Sequence, residues 1–108
     1  MEEVHLKLLK AIEANPNATQ RELSDALGVS LGKANYCLKA LVQQGWVKVN
    51  NFRANPRKVG YLYLLTPQGF EAKAELTTNF LRRKIVEYEV LKREIAALEA
   101  EAGRRPDG

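Results

Sequence analysis

The punctuation between residues 15 and 45 constrains this chain most. Asn15-Pro16-Asn17 ends whatever helix precedes it, because proline disfavours helical backbone in the residue before it. Thr19 and Glu22 then stand three apart ahead of Leu23, Ala26 and Leu27, the spacing of a capping box in which each side chain satisfies an exposed backbone N–H. Gly28 closes that short helix, since a left-handed terminal residue is easiest for glycine, and Ser30 caps a new helix two residues later. The new helix runs from about Leu31 to Gln44, where Gly45 stops it. Two helices joined by Gly28-Val29-Ser30 spell a helix-turn-helix.

The flanks complete a small domain. From Glu2 to Asn15, Val4, Leu8 and Ile12 recur four apart with Leu9 and Ala11 beside them, which predicts an amphipathic helix. In the helix after Ser30, Ala34, Leu38, Leu41 and Val42 form the apolar face. Two β-rich runs, Trp46 to Asn50 and Val59 to Leu65, enclose a polar loop rich in Asn and Pro, and read as a hairpin. Thr66-Pro67 starts a last helix, predicted from Pro67 to Ala102, which would be about 54 Å long. The expected fold class is α+β, mainly α: a winged helix-turn-helix of three helices and a two-stranded β-wing, with a long C-terminal helix. Residues 1–66 would be the DNA-binding domain, 67–102 the dimerisation helix and 103–108 a disordered tail.

Composition narrows the function. A chain of 108 residues holds one modest core. No apolar run spans a bilayer, and the opening MEEVHLKLLK lacks the basic start and apolar block of a secretory signal, so the reading is cytoplasmic with no membrane partner. One Cys and one His make neither an internal disulfide nor a metal site of the usual spacing. There is no nucleophile–base pair and no phosphate-binding glycine loop, so no enzyme, metal or cofactor is expected. The net charge of +4 is uneven: between Asp25 and Glu71 there is no acid but six bases (Lys33, Lys39, Lys48, Arg53, Arg57 and Lys58), while the flanks hold 11 bases against 13 acids. A one-signed stretch of this kind attracts a polyanion.

That charge falls on the elements a helix-turn-helix presents to duplex DNA. Gly32, Lys33, Asn35, Tyr36, Lys39 and Gln43 make a face without acids, the composition of a helix that enters the major groove. Ser30 caps the helix start, where free N–H groups also favour a phosphate. Gly32 is costly in a helix, and either close approach to DNA or a frayed first turn accounts for it. Thr19, Gln20 and Arg21 begin the helix that crosses the phosphate backbone, and Arg53, Arg57 and Lys58 on the wing suit a minor groove. Trp46, Tyr61, Tyr63 and Cys37 read as packing residues, and His5 as a helix-surface residue. In the last helix Leu81, Tyr88, Leu91, Ile95, Leu98 and Ala102 hold heptad a and d positions broken by Lys84, widened by Ile85, Val86 and Val90. Leu81, Ile85, Tyr88, Leu91, Ile95 and Leu98 are the expected dimer interface. The competing reading is a winged-helix module that binds another protein without sequence-specific DNA binding.

The string TQRELSDALGVSLGKANYCLKALVQQGWVKV, followed by a basic wing and LTPQG, resembles the MarR (multiple antibiotic resistance regulator) family of bacterial winged-helix repressors. The likeness covers most of the chain, and it is strongest to short regulators associated with exopolysaccharide gene clusters, whose pattern joins LGKxNYxLKAL to NF at the wing and LTPxG. It implies a homodimer on a pseudo-palindromic operator, with the helix after Ser30 in the major groove and the wing at an adjacent minor groove. The chain lacks the long first helix from which members often build the dimer and a ligand pocket, so no small-molecule effector is assigned.

Overall fold

The computed structural model describes residues 2–50 and 62–104. In chain order the elements are α1 (Glu2–Ala14), α2 (Gln20–Leu27), α3 (Leu31–Gln43), β1 (Val47–Asn50), β2 (Leu62–Leu65) and α4 (Pro67–Ala102). Two compact units divide between Thr77 and Thr78. The first includes the opening turns of α4, because Gly69, Ala72 and Leu76 are buried; the compact unit therefore extends beyond Thr66.

Local chemistry sets the element boundaries. The Thr19 hydroxyl accepts from the Glu22 N–H at 3.1 Å and the Glu22 carboxylate accepts from the Thr19 N–H at 2.9 Å, so the capping box is complete. Gly28 ends α2 at φ 69°, a left-handed conformation that a Cβ would penalise. Ser30 caps α3 by accepting from the Lys33 N–H at 3.1 Å. β1 and β2 pair antiparallel from Val47 opposite Leu65 to Asn50 opposite Leu62. The hairpin loop and its bases Arg53, Arg57 and Lys58, the Val59–Tyr61 part of the second β-rich run and residues 105–108 lie outside the described residues.

The core of the first unit gathers Leu6, Leu8, Leu9 and Ile12 of α1, Leu23 of α2, Ala34, Cys37, Leu38 and Leu41 of α3, Val47 and Tyr63 of the strands, and Ala72 and Leu76 of α4. Each fully buried leucine contributes about 1.5–3 kcal/mol relative to exposure. Cys37 and Tyr63 pack inside as expected. Val42 does not: it lies at the edge of α3 facing a groove rather than the core. Leu6, off the four-residue stripe of α1, is buried. The Tyr63 N–H donates to the Pro16 carbonyl at 3.1 Å, tying β2 to the turn that ends α1.

His5 also departs from the sequence reading. Its ring meets Trp46 edge to face, with centroids 6.5 Å apart and planes at 86°, and its Nε2 is buried without a hydrogen-bond partner. Burial holds the imidazole below the usual histidine range, partly offset by Glu2. A lowered folded-state value means that the unfolded chain binds the proton first as pH falls, so stability is complete above about pH 6.5 and declines below it. Melting temperatures measured from pH 8 to pH 5.5 should fall through the lower half of this window, and His5→Phe should flatten that part of the profile. An equally steep decline in the variant would exclude His5 as its source.

The second unit is helical from Thr78 to Ala102, and every residue from Leu81 to Arg104 is exposed. Lys84, which interrupts the heptads, pairs with Glu87 at 3.1 Å and lies 5.1 Å from the centroid of the Phe80 ring. Its stem can thereby cover apolar surface while its charge stays wet.

Candidate nucleic-acid interface

Helix periodicity divides α3 into a buried and a presented face. Ala34, Cys37, Leu38 and Leu41 point into the core, so Gly32, Tyr36, Lys39 and Gln43 occupy the opposite face, all exposed. Tyr36 has 68% of its surface accessible. Lys33 is exposed on one flank of that face, and Asn35, half-buried, sits on the other. No acid stands in the first turn of α3, where amide N–H groups ahead of the helical ladder need acceptors from outside it. Such a face offers cationic and amide donors to an acceptor-rich partner.

Asn35 and Lys39 converge on a groove of about 380 Å³, together with Gln20 of α2, Val42 and Gln43 of α3, Val49 of β1 and Tyr63 of β2. The Gln20 amide donates to the Tyr63 hydroxyl at 3.4 Å, a long bond that joins α2 to the strands. Gln20 is thus a groove residue as well as a candidate phosphate contact. Thr19 is committed to its capping box, and Arg21 is exposed on α2. Ser30 is held by its cap. Of the residues read from sequence, the structure gathers Gln20, Asn35 and Lys39 at one groove and leaves Lys33 and Tyr36 outside it. Val49 and the Tyr63 hydroxyl are additions that sequence order conceals, since hairpin pairing brings them opposite one another. Lys48 of β1 is exposed and adds to the positive charge of this unit.

Among the described residues no group of His, Cys, Asp and Glu is placed to hold a metal ion, and no helix is long and apolar enough to cross a membrane.

The chain is similar to known winged helix-turn-helix proteins. The winged helix-turn-helix DNA-binding family model matches residues 1–48. No curated protein matches the chain. Among solved structures, the transcriptional regulator PcaV from Streptomyces coelicolor is similar with a TM-score of 0.62 and 18% identity, over 90% of this chain and 79% of that one. A MarR/EmrR family transcriptional regulator from Acinetobacter sp. ADP1 gives 0.61 and 19%, over 95% and 74%. The transcriptional repressor CouR, bound to a 23-mer DNA duplex, gives 0.62 and 21%, over 91% and 70%. The chain thus has the winged helix-turn-helix fold of these MarR-family transcriptional regulators, and its first 48 residues match the winged helix-turn-helix DNA-binding model.

Proposed function

We propose that this protein is a sequence-specific repressor that binds a pseudo-palindromic operator in duplex DNA as a homodimer, with exopolysaccharide genes as its targets. The observation that carries this reading is the acid-free outer face of α3, with Lys33, Asn35, Tyr36 and Lys39 presented away from the core. Asparagine can pair bidentately with adenine and lysine can donate to guanine, so these residues supply base readout. Ser30, Thr19, Gln20 and Arg21 position the helix on phosphates, and Arg53, Arg57 and Lys58 extend the contact from the wing. CouR, a repressor of similar fold, is bound to duplex DNA, which supports both the ligand and the sign of regulation. The exopolysaccharide assignment rests on the LGKANYCLKAL and LTPQG strings.

The dimer follows from α4. Leu81, Ile85, Tyr88, Leu91, Ile95 and Leu98 are each about half exposed or more, a stripe that water does not favour leaving open. A second copy carries the same stripe, and two copies would place two recognition helices on two half-sites. Residues 1–66 would then serve as the DNA-binding domain and 67–102 as the pairing helix.

Titration of the duplex upstream of the gene over a salt series tests the core of the proposal. With about 4 phosphates met per subunit, the log–log slope of affinity against salt is expected to be about −7. Combining Lys33→Ala with Asn35→Ala should bring affinity for that duplex down to the level of a random one, and leave the random-duplex affinity nearly unchanged. Salt-insensitive binding, or equal affinity of the unmodified protein for random duplex and RNA, would instead favour a module that binds another protein.

A further inference from the structure

We infer that α4 pairs antiparallel with α4 of a second copy in one register, so that the acidic C-terminal end of each helix docks in a groove on the partner's first unit. This inference rests on the proposed homodimer and adds to it an orientation and a second contact surface. The groove, of about 470 Å³, lies between α1 and the opening turns of α4 and is lined by Lys10, Phe70, Lys73, Ala74 and Thr77. Phe70 is 51% exposed, and Ala74 and Thr77 beside it are open to solvent. An aromatic ring left in water marks a contact surface when it continues a longer apolar stripe. Here it does: counted back from Leu81, Phe70 and Thr77 hold heptad d positions and Ala74 an a position. The seam of α4 therefore begins at Phe70, three turns ahead of Leu81.

Charge decides the orientation. From Pro67 to Lys84, α4 carries four bases against two acids, and from Ile85 to Ala102 two bases against five acids. A parallel partner would stack like on like: d faces d, which sets Lys84 against the partner's Lys84, and Glu94 meets the partner's Glu99. An antiparallel partner lays the basic half on the acidic half and opposes the two helix dipoles. Position a then faces d, and the register that uses the whole seam places Phe70, Ala74, Thr77 and Leu81 opposite Ala102, Leu98, Ile95 and Leu91 of the partner subunit. In the three outer layers a large side chain meets a smaller one, the alternation that lets facing rows interdigitate. Lys84 falls opposite Tyr88 of the partner subunit, whose ring face attracts an ammonium group, and Ile85 meets the partner's Ile85 across the two-fold axis. On the flank, Lys73 faces the partner's Glu101, with Lys10 a second cation in the same groove. Glu13 of α1 holds Lys73 there at 2.7 Å. The like-charge pairs of this register, Glu71 with the partner's Glu99 and Glu87 with the partner's Glu87, lie at the exposed rim, where salt screens them. Glu87 also has Lys84 of its own helix at 3.1 Å.

The test uses the full chain carrying Ala74→Cys together with Leu98→Cys, oxidised at micromolar concentration and mapped by peptide mass spectrometry. Both positions are exposed in the single chain and Cys37 is buried, so neither the fold nor the native thiol interferes. Along one helix the two positions are about 36 Å apart, which excludes a bridge within a chain. The expected product is a dimer bridged from position 74 of each copy to position 98 of the other. Bridges from 74 to 74 and from 98 to 98 show a parallel pair and overturn the inference, as does a dimer in which no bridge forms. Phe70→Ala is the second measurement: the dimer dissociation constant is expected to rise about thirtyfold, since two half-exposed rings lose their cover. An unchanged constant overturns the inference and leaves the groove to another occupant. Loss of duplex affinity with the dimer intact also overturns it, and assigns the groove to DNA. A parallel dimer removes the inference alone, whereas an unmodified chain that scatters light as a monomer removes the proposed homodimer with it.

Discussion

Placing glutamate at both Leu91 and Ile95 is expected to convert the proposed dimer to a monomer and to lower affinity for a palindromic duplex by about a hundredfold to ten-thousandfold, the avidity that linked half-site binding supplies. The two residues are 53% and 48% exposed in a helical unit where every side chain from Leu81 to Arg104 is open to solvent. Neither belongs to the core of the first unit, so the helix-turn-helix should remain folded. Between paired helices, by contrast, each glutamate would have to enter an apolar seam without a partner, which costs several kcal/mol per charge. The salt slope should halve to about −3.5, because a single subunit displaces half the counterions. Helicity should also fall, since a solitary helix that buries little of its surface is marginal in water. Light scattering at micromolar concentration gives the mass, and fluorescence anisotropy the affinity. A variant that remains a dimer with undiminished binding would remove this stripe from the interface, and a monomeric unmodified protein would remove the dimer itself.

How much was legible in the sequence depends on the range of the interaction that fixes each feature. Thr19, Glu22, Gly28, Ser30 and Pro67 act within one helical turn, and the helix ends they predict agree with the structure to within a residue. The acid-free face of α3 was legible for the same reason, because 3.6-residue periodicity places Gly32, Tyr36, Lys39 and Gln43 together without reference to any other element. Features set by neighbouring elements were less accessible. Val42 matches the apolar pattern of α3, yet faces the groove shared with Val49 and Tyr63. His5 matches a helix surface, yet its environment is decided by Trp46, which lies far along the chain. The groove is likewise a product of hairpin pairing, which brings Val49 opposite Tyr63 although the two are well separated in sequence. Gly69 was visible only as part of the LTPQG string; nothing local in that string says why a glycine is needed.

Its reason supplies the second large prediction: Gly69→Ala is expected to destabilise the first unit by about 3 kcal/mol and lower its melting temperature by about 15 °C. A Cβ on Gly69 would overlap the Trp46 carbonyl oxygen and stand 3.0 Å from its carbon, so rigid backbone would have to move. That carbonyl accepts from the Thr66 N–H at 3.0 Å, while the Thr66 hydroxyl donates to the Gly45 carbonyl at 2.5 Å and accepts from the Gly69 N–H at 3.0 Å. One displacement therefore strains several bonds that hold the first turn of α4 to the turn before β1, each worth about 0.5–1.5 kcal/mol. The comparison with Gly32→Ala is the decisive control, because the same added methyl meets open space there and improves helix propensity. Thermal unfolding should move in opposite directions for the two variants. DNA affinity measured well below both transitions should be retained in Gly69→Ala, because Gly69 packs against Trp46 and is not part of the presented face of α3. A melting temperature for Gly69→Ala within about 2 °C of the unmodified protein, where a 1 kcal/mol change already moves a domain this size by about 4–8 °C, would show that the backbone yields at this joint. The opposed signs separate a glycine required by packing from one that the fold itself does not require.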